Sequence, residues 1–177
     1  MSSKIKIVIV IFIALVLTGF AFFYFSKEKG GGEGAPASFS EKSLTEVYED
    51  PQGRFTFKHP ENFTVSVYPD ELGEMLVLQG KNANEGFQMR IQPIDEDLTV
   101  ITAERIRQDL PDIVMTDTQD VFVGEGGKGV AFISNDPLFG GKSREVWFAH
   151  KQVFYQITAY FSADSLVQAV LGSWTFK

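Results

Sequence analysis

The chain of 177 residues contains no cysteine. This absence excludes disulfides, thiolate zinc sites, cysteine nucleophiles and lipid attachment at a cysteine. A basic run is also missing, since residues 45–177 carry eleven Lys/Arg and twenty Asp/Glu and so have a net charge of −9. Nucleic acid and anionic lipid surfaces both repel such a domain, which argues against either as its partner.

Catalytic motifs are absent as well. The pattern Gly-x-Ser-x-Gly does not occur, and no Ser-His-Asp arrangement can be defended. The stretch GEGGK at residues 124–128 lacks the spacing of a phosphate-binding loop and lies between two predicted strands, so it is predicted to be a hairpin turn. With no nucleophile–base pair to name, a hydrolase ranks behind two binding hypotheses.

One long apolar run is present, at residues 7–25. A helix of nineteen residues is about 28 Å long, close to the roughly 30 Å hydrocarbon core of a bilayer. Lysines flank both ends, and residues 22–25 (FFYF) suit the aromatic belt at a membrane interface. Residues 1–25 are therefore predicted to be an N-terminal cytoplasmic tip followed by a single transmembrane anchor.

A cleaved signal peptide is the alternative to this anchor. The apolar region of a signal peptide spans only about 7–15 residues and ends at a small-x-small site. Here the run is longer, and aromatic residues directly follow the weak match formed by Gly19 and Ala21, which favours an uncleaved anchor. The start amine, Lys4 and Lys6 on the short N-terminal side predict an extracytoplasmic C-terminal domain in the cell membrane.

A flexible linker is predicted at residues 26–44, because its Gly, Ser, Lys and Glu residues cannot form a core. A Gly-rich chain of this length has a root-mean-square reach of only about 20–25 Å. Residues 45–177 are long enough for one globular domain with its own core. The domain is therefore expected to work close to the membrane.

Strand patterns dominate this domain. In residues 87–92, for example, Phe87, Met89 and Ile91 alternate with polar residues, as in a half-buried strand. A tight turn is predicted at residues 151–152. Strands are predicted at residues 54–59, 63–68, 74–79, 87–92, 120–124, 129–133, 144–150 and 153–160.

Two helices accompany the strands. Thr102 suits the N-cap of the first, whose apolar residues Ile106 and Leu110 have helical spacing and which ends before Pro111. Gly172 suits the end of the second, which has an apolar stripe at Leu166, Val167, Val170 and Leu171. The predicted fold class is α+β, an antiparallel sheet of about six to seven strands flanked by helices and preceded by one transmembrane helix.

Residues 45–177 resemble a known family. The stretch YEDPQGRFTFKHPENF at residues 48–63 is similar to the opening of PsbP-like domains, the family of photosystem II extrinsic subunits. The strand at 153–158, the amphipathic helix and the closing SWTF at 173–176 resemble the end of that domain. The resemblance implies an α-β-α sandwich around an antiparallel sheet, in a membrane-anchored bacterial form. Photosynthetic members are soluble lumenal subunits, whereas many bacterial members are exported proteins with no assigned activity.

Two sets of residues are metal-ligand candidates. His59 and His150 each end a predicted strand, and they would need to meet a carboxylate in space to hold zinc or copper. Asp95 and Asp97 stand in an acidic loop of the kind that hard cations such as calcium favour. The alternatives are exposed strand-end histidines and a solvated loop. No cofactor is predicted, and binding of a metal ion or small ligand is the second hypothesis.

The loop at residues 134–142 is longer than a hairpin requires and carries Leu138 and Phe139 beside two glycines. Apolar residues exposed on a loop often mark a contact site, so these two are the partner-contact candidates. The alternative is a loop that folds back and buries Phe139. The leading hypothesis is a membrane-tethered, extracytoplasmic, non-enzymatic module that binds a protein or envelope component.

Overall fold

The computed structural model describes residues 38–95 and 98–177. The predicted anchor at 1–25 and most of the predicted linker lie outside these residues. Within the described part, no helix has the length and apolar character needed to cross a bilayer. Phe39 and Leu44, at the end of the predicted linker, already pack against the main core of the domain.

The described residues form an α+β fold with antiparallel sheets. Two α-helices are α1 (Ala103–Asp109) and α2 (Asp164–Gly172). The strands are β1 (Glu46–Glu49), β2 (Phe55–His59), β3 (Thr64–Asp70), β4 (Gly73–Gln79), β5 (Gly86–Pro93), β6 (Thr116–Val123), β7 (Gly127–Ser134), β8 (Ser143–His150), β9 (Val153–Tyr160) and β10 (Thr175–Phe176).

Seven strands make one antiparallel sheet in the order β3-β4-β5-β9-β8-β7-β6. The pairing of β5 with β9 joins its two halves and places Met89 opposite Ile157. The predicted turn between β8 and β9 is confirmed. Lys151 and Gln152 both have positive φ (45° and 61°), the backbone that a two-residue hairpin turn requires.

A second sheet of three strands, β1-β2-β10, is absent from the sequence-based prediction. It joins the first and last strands of the domain, with Tyr48 opposite Phe57 and Phe176 opposite Phe55. The short β1 has mostly exposed residues and no apolar alternation, which is why the pattern does not reveal it.

The first face of the seven-stranded sheet is the one that carries Phe87, Met89 and Ile91. All three side chains are buried, which confirms the predicted alternation. The three-stranded sheet and α2 cover this face and form the main core with it. The cover contributes Phe55, Phe57, Leu166, Val167, Val170 and Trp174.

The second face of the sheet carries a smaller apolar cluster beneath α1. As predicted, Thr102 caps this helix, because its side chain accepts a hydrogen bond from the Arg105 N–H at 3.2 Å. The helices therefore lie on opposite faces of the sheet, in the layered arrangement that was expected. The buried members of the cluster are Ile101, Ala103, Ile106, Val130, Phe132, Trp147 and Ala149.

Candidate functional site

The loop predicted to contact a partner folds back onto the domain. Its centre is a 3₁₀ turn at Pro137–Phe139, where the Asp136 carboxylate accepts a hydrogen bond from the Leu138 N–H at 2.9 Å. Phe139 is only 5% exposed and its ring contacts that of Tyr160, with centroids 5.2 Å apart. Leu138 is half-buried. The expectation of an exposed Phe139 is therefore wrong, and the alternative reading of the loop is correct.

A different aromatic side chain is exposed. Phe122 on β6 is 76% exposed, more than any other large hydrophobic residue in the described part of the chain. It lies on the second face, opposite Lys128, at the edge of the seven-stranded sheet. Alternation in the sequence could indicate the face on which Phe122 lies, but not its exposure. Val121 and Val123 contact the main core, so alternation places Phe122 on the opposite side of the strand.

The two histidines lie in different sheets and neither is exposed. His59 on β2 is 9% exposed, and its Nδ1 lies 3.0 Å from the Pro60 carbonyl oxygen. The His150 ring on β8 stacks on Phe176, with centroids 3.8 Å apart and an angle of 15° between the planes. Burial lowers the pKa of His150, and its buried Nε2 has no hydrogen-bond partner among the described residues.

Among the described residues, the histidines and the acidic candidates do not come together at one point. Asp95 is exposed in the connection after β5, and Asp97 lies outside the described residues. Over residues 38–95 and 98–177, no group of three metal-ligating side chains comes together. His59, His150 and Asp95 therefore do not come together as one group in this structure.

Glu145 is the most unusual ionisable group on the second face. It is 4% exposed and accepts hydrogen bonds from three neutral donors, the Ser143 hydroxyl (3.0 Å), Trp147 Nε1 (3.0 Å) and the Thr158 hydroxyl (2.8 Å). Burial disfavours the charged carboxylate and raises the pKa of Glu145 to about 7, although the three hydrogen bonds oppose the shift.

Sequence reasoning missed Glu145 because it assigned residues 144–150 to a strand without considering which face each side chain occupies. The available signal was a lone glutamate two residues before Trp147, which period-two alternation places on the same face as that large aromatic side chain. Alternation could therefore have indicated a carboxyl group beside the indole. It could not have indicated that both are covered.

Arg90 on β5 is a second buried charged residue on this face. Its side chain is 4% exposed, and its Nη2 donates to Asp70 at 2.7 Å. The Nε and Nη1 atoms have no hydrogen-bond partner among the described residues. Burial lowers the pKa of Arg90, and the ion pair with Asp70 opposes this shift. Arg90 lies two strands away from Glu145, about 10 Å across the sheet, so the two do not form an ion pair.

Glu145 and its neighbours can hold a proton, but they do not form an accessible catalytic site. Ser143 is the hydroxyl closest to acting as a nucleophile, because it donates to Glu145. Its side chain is completely buried, however, and a substrate could not reach the oxygen in this conformation. The chemistry available at this point of the second face is reversible protonation of a carboxyl group.

Comparisons with known proteins place this geometry in context. No family model matches the chain, and no curated protein sequence matches it. Among solved structures, the solution structure of cyanobacterial PsbP (CyanoP) from Synechocystis sp. PCC 6803 is similar, with a TM-score of 0.48 and 10% sequence identity. The similarity covers 85% of this chain and 99% of that one. An identity of 10% transfers neither residue roles nor partners.

Proposed function

We propose that this chain is a membrane-tethered, extracytoplasmic, non-enzymatic module that binds a protein partner through the surface around Phe122. The observation that carries the proposal is the 76% exposure of this aromatic side chain on an edge strand. Fully burying a phenylalanine side chain stabilises an association by about 1.5–3 kcal/mol. Aromatic residues are also enriched at protein interfaces, where a few of them supply most of the binding energy.

The surroundings of Phe122 suit a small interface. Lys128 lies directly opposite it on β7, and the Lys128 carbonyl accepts a hydrogen bond from the Ile101 N–H at 3.4 Å. Val100, which directly precedes Ile101 in the chain, is 38% exposed. Asp120 and Lys128 are both exposed and flank the aromatic ring with charged groups of opposite sign. Val100, Asp120, Phe122 and Lys128 are called the Phe122 surface below.

The predicted tether favours a partner that lies in or on the same membrane. Residues 7–25 have the length and flanking lysines of a transmembrane anchor, and Phe39 is already packed on the domain. The chain between them is short, so its reach of a few nanometres keeps the domain near the bilayer. A partner in or on the same membrane is consequently at a high effective concentration.

Site-specific photocrosslinking tests the contact. A photoreactive amino acid replaces Phe122 in the full-length chain in its native membranes, and the matched control carries it at Val47. Val47 is 61% exposed on the three-stranded sheet, so it probes a different apolar surface. We expect a discrete protein adduct from position 122 and none from position 47. An identical set of adducts from both positions, or none from 122, contradicts the proposal.

Cysteine labelling tests the tether and its orientation independently of the contact. Because the natural chain has no cysteine, a single introduced thiol is the only reactive site. Ser162→Cys, at an exposed residue, is expected to react with a membrane-impermeant maleimide added to the outer side of the membrane, and Ser3→Cys is not. The reverse labelling pattern, or release of the protein by alkaline extraction, rejects the predicted anchor or its orientation.

A further inference from the structure

Glu145 is a carboxyl group sealed beneath the cover of the second face. Its three hydrogen-bond donors are neutral, and it has no cationic partner among the described residues. An ionised carboxylate in such surroundings is strongly disfavoured, because neutral donors do not replace the solvation that water provides. The protonated form is compatible with the same position.

The charged and titratable groups of the surrounding elements do not compensate this charge. Asp136, in the connection between β7 and β8, adds negative potential, and Tyr160 on β9 is a neutral phenol whose pKa is raised by burial. The cations that β5, β7 and α1 contribute are exposed or engaged with acids. Lys128 on β7 is exposed, Arg90 on β5 binds Asp70, and Arg105 on α1 binds Asp109 at 2.6 Å.

Glu145 is linked to the α1 cover through Trp147. The indole that donates to Glu145 also packs edge-on against Phe132, with centroids 5.5 Å apart, and belongs to the cluster that includes Ile101 and Ile106 of the cover. An α-helix of seven residues has little stability of its own and depends on packing. Local opening of this layer therefore costs less free energy than unfolding of the main core.

From this arrangement we infer that Glu145 is a proton-operated latch, which holds the α1 segment on the sheet when it is protonated and loosens the segment when it loses its proton. Opening admits water to the carboxylate and relieves the desolvation of its charge. The same movement exposes Phe132 and Trp147. The inference does not rest on the proposed function, although Val100 of the Phe122 surface directly precedes Ile101 of the cover.

The direction follows from proton linkage. The closed state binds the Glu145 proton up to about pH 7, whereas the water-exposed carboxyl of the open state loses it near its ordinary value of 4.5. Between these values the closed state holds the extra proton, so raising the pH favours opening; above pH 7 both states are ionised and the effect levels off. We expect the opening equilibrium to increase by about tenfold or more from pH 5 to pH 7.

Amide hydrogen exchange of the full-length protein in lipid nanodiscs tests the latch. Exchange rates are divided by the rate of an unprotected amide at the same pH. The resulting protection is compared between peptides covering α1 and peptides covering β5. We expect protection of α1 to fall about tenfold from pH 5 to pH 7 and then to level off, with a smaller change in β5. Glu145→Gln is expected to remove this pH dependence.

The matched control is Glu104→Gln, which makes the same chemical change at an exposed glutamate on α1 itself and is expected to behave like the natural protein. The same pH dependence in Glu145→Gln and the natural protein overturns the inference, as does flat α1 protection in the natural protein. If Glu145→Gln does not fold, carbon NMR titration of the Glu145 carboxyl in the natural protein decides. A midpoint near that of exposed glutamates rejects the latch, and a midpoint near neutrality supports it.

Discussion

Phe55 stacks on Trp174 with ring centroids 4.3 Å apart, although one opens the domain and the other closes it. Both side chains are buried in the main core, where Phe55 also meets Tyr155 edge-on at 5.8 Å. The contact of Phe55 with Tyr155, which lies on β9, joins the three-stranded sheet to the seven-stranded sheet. Closure of the domain therefore depends on aromatic side chains from its two ends.

Replacing Phe55 by alanine should lower the free energy of unfolding by about 3–5 kcal/mol, because the change removes a fully buried ring and leaves a cavity. Urea denaturation followed by tryptophan fluorescence measures the loss. Phe122→Ala is the matched control, and its effect should stay within about 0.5 kcal/mol because that ring is exposed. Similar losses in the two variants would show that the packing of Phe55 is not important for stability.

Glu145→Gln should change how stability depends on pH. The native pKa of about 7 lies above the ordinary value of 4.5, so the native state holds more protons between these values and its free energy of unfolding falls as pH rises through this window. Above pH 7 the loss is complete and amounts to about 3 kcal/mol. The glutamine variant lacks this pH-dependent loss. Its free energy of unfolding, relative to that of the natural protein, should therefore rise from pH 5 to pH 8. Parallel stability curves for the two proteins would contradict the assignment.

Asp50→Asn should destabilise the turn between β1 and β2. The Asp50 carboxylate is nearly inaccessible and forms a two-point ion pair with Arg54, whose Nε and Nη2 each donate at 2.7 Å. The Arg54 backbone N–H donates to the same carboxylate at 3.0 Å. Removing the charge should lower the free energy of unfolding by about 2–3 kcal/mol. The loss is limited because Glu74 still binds the Arg54 guanidinium. Thermal unfolding at low and high salt measures the loss, which should be nearly independent of salt for a buried pair.

Gly129→Ala should disrupt the pairing of β7 with β8. Gly129 lies opposite Phe148, and a Cβ at this position would overlap the carbonyl oxygen of Trp147. Because the obstacle is backbone, the strands would have to separate, at a cost of at least about 3 kcal/mol. Gly53→Ala is the comparison, since Gly53 has open space around it and a positive φ of 70°, and it should cost only about 1–2 kcal/mol. Equal melting temperatures for the two variants would refute the steric argument.

Local patterns predicted much of the fold correctly. Alternation at Phe87, Met89 and Ile91 identified β5 and its buried face, and Thr102 marked the start of α1, because both signals arise from neighbours in the chain. The prediction for β6 began four residues too late. Its first half is polar and contains a bulge next to Asp117, whose φ is 50°, so alternation is absent there.

The candidate site was less predictable. Phe139 and Phe122 both stand near turns in apolar surroundings, yet one ring is buried against Tyr160 and the other is exposed. The difference depends on which element lies above each side chain. That element comes from a distant part of the chain, so no local pattern reports it.

The sequence by itself determined the apolar run at residues 7–25, the acidic charge of the domain, the absence of thiol chemistry and most strand positions, because each follows from composition or short-range periodicity. Only the tertiary structure decided that β5 pairs with β9 and that β1 and β10 share a sheet with β2. It also decided that Glu145 is buried on the second face of the seven-stranded sheet. Strand pairing and burial are set by contacts between residues far apart in the chain, where side-chain shape and desolvation select the partner.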